Sequence, residues 1–223
     1  TLPGSKSISN RSLLLAAVAD GTPAVVWRQP YDRGSARKTG QIDQGSGTTP
    51  TLLGRDYVAI TDNADSRMHV LVYQRTSGRL VCSVPVFKAG ASATENSLVG
   101  WDNGLVVENN SGYRDPRPVM GRTTIPGGLT RVDVRPDGSG CRVRWTSQEQ
   151  SPSVVPKLSR GNGLLYVYTH SELGSGMADE WYLTAIDFRT GRTAYKVYVG
   201  SGPLFDNAFL PITIGPDKSA YVG

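Results

Sequence analysis

The sequence predicts an all-β protein assembled from repeated four-stranded antiparallel sheets. Three observations carry this reading. From Thr48 onward, short runs rich in β-branched and aromatic residues alternate with turn residues. The 223 residues include 26 Gly and 14 Pro, more turn chemistry than a helical bundle can absorb. One pattern, a short apolar strand followed by a glycine turn and a second aromatic or β-branched strand, recurs four times.

The copies are PTLLGRDYVAIT (50–61), NSLVGWDNGLVVE (96–108), PKLSRGNGLLYVYT (156–169) and PITIGPDKSAYVG (211–223), with marker glycines Gly54, Gly100, Gly161 and Gly215. Each of the first three is followed by a second hairpin: HVLVYQRTSGRLVCSVPVF, LTRVDVRPDGSGCRVRWTS or LTAIDFRTGRTAYKVYVG. Gly78, Gly138 or Gly140, and Gly191 occupy the tight turns of these hairpins, where positive φ is wanted. Ahead of the repeats, PAVVWRQPYD (23–32) reads as the outer strand of a preceding unit. The first 22 residues, TLPGSKSISNRSLLLAAVADGT, are unlike the rest: Ser9 is placed to cap a helix whose apolar stretch runs over Leu13–Ala19.

Two hairpins per repeat make a four-stranded sheet, and repetition every ~40–50 residues is the mark of propeller blades. The expected organisation is an N-terminal segment over 1–22 and a partial β-propeller over 23–223. Its blades fall at about 46–95, 96–152 and 153–203, and a partial blade occupies 204–223. Three complete blades do not obviously close a ring. Closure calls for the 24–31 strand to pair with the last repeat, or for a second copy to cover the open blade edges.

AIDFRTGRTAYK (185–196) resembles the repeat of quinoprotein-like (pyrroloquinoline-quinone-type) propellers, with Tyr195 roughly where that repeat carries tryptophan. The resemblance implies the propeller fold and says little of a cofactor. Separately, LPGSKSISNR followed by LLLAAVADGT resembles the N-terminal phosphate-binding segment of 5-enolpyruvylshikimate-3-phosphate synthase. That resemblance covers about 22 residues and implies phosphate binding by Lys6, Ser7 and Arg11. The same stretch also fits a secretory signal, with a basic start, a short apolar segment and a small-residue Ala17-Val18-Ala19 site.

Charge and composition narrow the function classes. The net charge of +5 comes from scattered side chains, and the densest patch, Arg28, Arg33, Arg37 and Lys38, lacks the interleaved aromatics of a nucleic-acid surface. No apolar run approaches the ~20 residues of a membrane-crossing helix. Cys82 and Cys141 show no metal-ligand spacing. They fall on equivalent outer strands of neighbouring blades, expected to lie beyond the ~7 Å bridging limit, which favours free thiols over a disulfide. The family resemblance and the two cysteines point outside the cytoplasm.

Turns within the hairpins belong to one face of such a stack, and the longer connections to the other. The connection face gathers carboxylates and amides: Asp62 and Asn63, Asn96, Glu108 and Asn109, and Asn207. Oxygen ligands of this type suit Ca²⁺, and metal-assisted ester or lactone hydrolysis is one chemistry they could build if Asn96, Glu108 and Asn207 met at one ion. The plainer reading is that Asn, Asp and Ser bond to nearby backbone in loops. Tyr113 and Phe205 are the aromatic candidates for stacking on a ligand ring. No GxSxG elbow is present, and His69 and His170 read as hydrogen-bonded structural groups. The leading expectation is a propeller binding or scaffold module for a small-molecule or carbohydrate ligand. The metal hydrolase and the enolpyruvyl transferase stand as alternatives.

Overall fold

A computed structural model describes residues 12–19, 22–113, 125–152, 154–171, 179–207 and 209–222. Sixteen strands are found among them, with no α-helix. β1 (Ser12–Ala19) and β2 (Thr22–Pro30) pair as a hairpin. The first four-stranded sheet holds β3 (Thr51–Leu53), β4 (Tyr57–Thr61), β5 (His69–Gln74) and β6 (Leu80–Pro85). The second holds β7 (Val99–Trp101), β8 (Gly104–Glu108), β9 (Leu129–Val134) and β10 (Cys141–Ser147). The third holds β11 (Lys157–Ser159), β12 (Leu164–Ser171), β13 (Glu180–Asp187) and β14 (Thr193–Ser201). A last hairpin joins β15 (Thr213–Ile214) to β16 (Ala220–Tyr221). Within each sheet the strands pair antiparallel in chain order.

Strand periodicity explains how the sheets stack. Side chains on a strand alternate between faces, and here both faces are apolar. On β4, Val58 and Ile60 enter a cluster with Trp27 while Ala59 enters one shared with Val107 and Val132 of the next sheet. On β8, Leu105 and Val107 face back to the first sheet, and Val106 joins Leu165, Val167 and Ile186 of the third. On the third sheet, Tyr168 and Trp181 turn towards Ile212 beside the last hairpin. Every four-stranded sheet is thus sandwiched between neighbours on both faces, the arrangement of blades in a propeller. The fold is a partial β-propeller whose sheets do not close into a ring.

One junction is built twice. Trp27 on β2 donates its indole N–H to the Arg75 carbonyl (2.7 Å) at the turn of the first sheet, and its ring covers Gly78. Trp145 on β10 donates to the Phe188 carbonyl (2.9 Å) at the turn of the third sheet, and its ring covers Gly191. Both glycines have positive φ, and a Cβ at either would sit within 2.6 Å of a ring atom. These turns therefore need glycine twice over, for backbone conformation and for close approach. Between the first and second sheets the link is covalent instead.

Four expectations are corrected here. Residues 12–19 form β1 and not a helix. β1 is paired along its length with β2, whose Val25, Val26 and Trp27 suit a strand, and such a partner outweighs a weak helical preference. The 24–31 segment does not pair with the last repeat; β2 pairs with β1, and β15 with β16. Gly100 is not a turn residue. It lies within β7, where a Cβ would strike Leu53 and Thr51 of the first sheet, and the turn is Asp102–Asn103 with Asp102 at φ 51°. Cys82 and Cys141 are bonded, with their Cα atoms 5.9 Å apart. Cys82 lies inside β6 but Cys141 opens β10 directly after its turn, and the two outer strands meet at that corner.

Candidate functional site

The connection face carries a belt of buried polar side chains, and its asparagines tie nearby backbone together. Asn63 and Asn110 each follow the second strand of their sheets. The Asn63 amide nitrogen donates to the carbonyls of Gly45 and Thr94 (both 2.8 Å), and its oxygen accepts the Thr94 N–H (3.0 Å). The Asn110 oxygen accepts from the Thr94 hydroxyl (2.9 Å) and the Glu95 N–H (2.8 Å), and its nitrogen donates to the Pro152 carbonyl (2.8 Å). Each asparagine therefore ties the connector leading into its own sheet to the connector leading into the next. Asn109 is equally occupied: it donates to the Ala91 and Gly127 carbonyls and accepts from Ala93 and Ser111 N–H groups.

Asp62 accepts the His69 ring Nδ1–H (2.8 Å), the His69 N–H (2.7 Å) and the Ala64 N–H (3.0 Å). Burial pushes its carboxyl above the usual range, opposed by those hydrogen bonds. His170 is buried against the Trp181 ring.

Glu108 is fully buried. Its carboxyl accepts from Asn96 Nδ2 (2.6 Å) and Ser151 Oγ (2.5 Å). Burial pushes its pKa up to about 8, a rise that the two hydrogen bonds oppose. The pair Asn96–Glu108 named from sequence is thus brought together, but as an internal bond between a connector and β8. The Glu108 oxygens are engaged by Asn96 and Ser151, so a cation at this place would have to compete with those donors. Among the described residues no group of three or more His, Cys, Asp and Glu side chains comes together.

The accessible feature of this face lies elsewhere. A recess of about 450 Å³ is lined by Arg37, Lys38, Gln41 and Ile42 with Tyr113 and Phe209. Three segments far apart in sequence build it: the chain ahead of the first sheet, the connection after β8, and the connection after β14. Thr39 accepts the Gly112 N–H (3.1 Å), and Gly40 packs against the Asn110 carbonyl so closely that a Cβ there would lie 2.0 Å from it. The buried Tyr113 donates its hydroxyl to Asp206 (3.2 Å) and meets the Phe209 ring edge-on at 5.5 Å. Lys38 donates to the Ala64 carbonyl (2.5 Å) and the Ser92 carbonyl (3.3 Å), and burial lowers its pKa. Arg37 is exposed at the rim.

No protein-family model and no curated protein matches this chain. Solved structures do. BamB from Moraxella catarrhalis matches at 12% identity with a TM-score of 0.41, over 92% of this chain and 62% of that one. The NanB sialidase from Streptococcus pneumoniae matches at 11% identity with a TM-score of 0.48, over 94% of this chain and 38% of that one. The chain therefore spans less than two thirds of the length of either. None of the comparisons supports the enolpyruvyl-transferase resemblance of residues 1–22. Lys6, Ser7 and Arg11 lie outside the described residues.

Of the candidates read from sequence, Tyr113 alone lines the recess. Asn207 is half-buried beside Asp206, which takes the Tyr113 hydroxyl. Phe205 closes over Gly200 rather than facing the recess. The sequence reading missed the part played by Arg37, Lys38 and Phe209. The basic density at 33–38 was visible in the sequence, but nothing local says that this segment folds over the end of a strand seventy residues on.

Proposed function

We propose that the chain is a propeller-type binding or scaffold module and that the recess beside Tyr113 receives a small-molecule or carbohydrate ligand. The observation supporting this is the convergence of three distant segments on one preformed hollow with an aromatic wall and a basic rim. Rigid sheets that hold loop side chains around a concavity are the usual setting for ligand recognition. The polar belt beneath serves as the mount, because the Asn63, Asn109 and Asn110 amides and the Asp62 and Glu108 carboxylates are bonded within the fold. The working unit of this reading is the blade, at about 46–95, 96–152 and 153–203, with 204–223 opening a fourth.

The disulfide supports an extracytoplasmic setting, since such bonds persist where the environment is oxidising. No helix among the described residues is long and apolar enough to cross a membrane.

The test is a thermal-shift screen of small organic acids, amines and oligosaccharides against the wild-type chain and the Arg37→Ala and Tyr113→Ala variants. At least one compound is expected to raise the melting temperature saturably, and Arg37→Ala, a rim substitution, is expected to abolish the rise. A screen without a saturable shift, or shifts indifferent to both substitutions, would remove the recess as a binding site.

A further inference from the structure

The opposite face of the stack, formed by the hairpin turns, holds a second hollow. It lies between the second and third sheets, has a volume of about 370 Å³, and is separate from the recess beside Tyr113 in every lining residue. We propose that this cleft binds small ligands that join a planar aromatic ring to a carboxylate.

The aromatic surface of the cleft is the half-buried Trp101, backed by the buried Phe188. Trp101 at the end of β7 and Phe188 just after β13 approach to 5.4 Å between ring centroids, tilted by 46°. Arg131 lies over the Phe188 ring, its guanidinium carbon 4.1 Å from the centroid. Its N–H groups are committed to the Asp133 carboxylate (2.6 and 3.2 Å) and the Phe188 carbonyl (2.8 Å). Arg131 is therefore a fixed wall. Gly104 makes room for that wall, since a Cβ there would lie 2.5 Å from the Asp133 carboxylate and 3.1 Å from the Arg131 guanidinium.

The charge is unbalanced. Asp133 is shared by Arg131 and Arg144, the latter at 3.4 Å, so this carboxylate is more than neutralised. Arg142 and Arg189 also line the cleft, both exposed, and neither makes an ion pair among the described residues. Asp187, two residues before Arg189, accepts from the Thr190 N–H and hydroxyl; against burial, those bonds together with the Arg189 charge hold its carboxyl low, so it offsets part of that charge without an ion pair. Asp102, on the facing turn, repels an anion and so directs a carboxylate towards the arginines. Planar guanidinium forks suit a carboxylate bidentately, and a flat ring suits the half-buried Trp101 indole, which the buried Phe188 holds in place.

The experiment is calorimetric titration of the intact chain with naphthoate, with its carboxamide and inorganic phosphate as controls. Naphthoate is expected to bind saturably. The carboxamide is expected to bind at least about tenfold more weakly, and the Arg142→Ala/Arg189→Ala double variant to lose a similar factor. Tyr113→Ala, in the other recess, is expected to leave naphthoate binding unchanged, which separates this site from the one proposed above. Absence of saturable heat, equal binding of the carboxamide, or an unaltered arginine double variant would overturn the proposal. Phosphate competing as strongly as naphthoate would also overturn it, because the ring would then play no part. The two arginines are exposed surface side chains, so their removal leaves the fold intact. Trp101→Leu adds a second reading of the floor, with weaker naphthoate binding expected.

Discussion

Glu108 shows what a single side chain can impose on the molecule. Its carboxyl titrates near pH 8 in the folded chain, against an ordinary value of 4.5. Below the lower value both states hold the proton. Between the two the folded state keeps it and the unfolded state has released it, so stability falls as pH rises through this window and levels off above it. We expect the denaturation midpoint to drop steadily from pH 5 to pH 8, at up to about 1.4 kcal/mol per pH unit, the value of one proton. Glu108→Gln should flatten that profile; an unchanged slope would show that Glu108 titrates normally. Asn63→Ala removes three buried hydrogen bonds and leaves the Gly45 and Thr94 groups without a partner. A loss of at least about 2 kcal/mol is expected by urea denaturation. At this scale the sequence was partly readable. The abundance of Asn and Asp marked the connection face, and the plainer reading of those residues as backbone-satisfying groups describes Asn63 and Asn109 well. Ser151 as the Glu108 partner, forty-three residues away in the chain, had no local signal.

Among the elements, the hairpin turns were the most legible because their chemistry is local. Gly78, Gly138 and Gly191 all adopt the positive φ that such turns demand. The helix expected over 13–19 failed because an apolar run specifies burial without specifying period, and the choice fell to pairing with β2. The tryptophan docks were legible only in outline: tryptophan on an outer strand suggests packing between sheets, but not its carbonyl acceptor. Trp145→Ala should cost about 3–5 kcal/mol. Trp145→Phe, which keeps a ring over Gly191 and leaves the Phe188 carbonyl with Arg131 as its remaining donor, should cost only about 0.5–1.5 kcal/mol. A Trp145→Phe variant as stable as the wild-type chain would mean that the indole N–H contributes nothing. Both substitutions are to be read by guanidinium denaturation under oxidising conditions.

The whole molecule combines noncovalent docks on either side of one covalent link. Cys82 and Cys141 are 59 residues apart in the chain, so their bond restricts the unfolded ensemble substantially. Reduction, or Cys82→Ala with Cys141→Ala, should lower stability by about 4 kcal/mol, seen as an earlier denaturation midpoint in dithiothreitol. A midpoint indifferent to reductant would contradict this. Sequence reasoning misplaced these cysteines because it treated neighbouring outer strands as evenly separated, whereas Cys141 opens its strand at the corner where the two meet. Repeat counting did recover the stack of four-stranded sheets, since each repeat carries its own turns and its own alternation. The Asn63 and Asn110 bridges then give the stack a collective property. Chains of like units usually fray from their ends, because each unit answers only to its neighbours. Here Thr94 is gripped by the asparagines of two successive sheets, so loosening one connector releases the latch on the other. Amide protons along 94–96 should consequently exchange in a single concerted opening, which makes this short stretch a reporter of whether the sheets melt one by one or together.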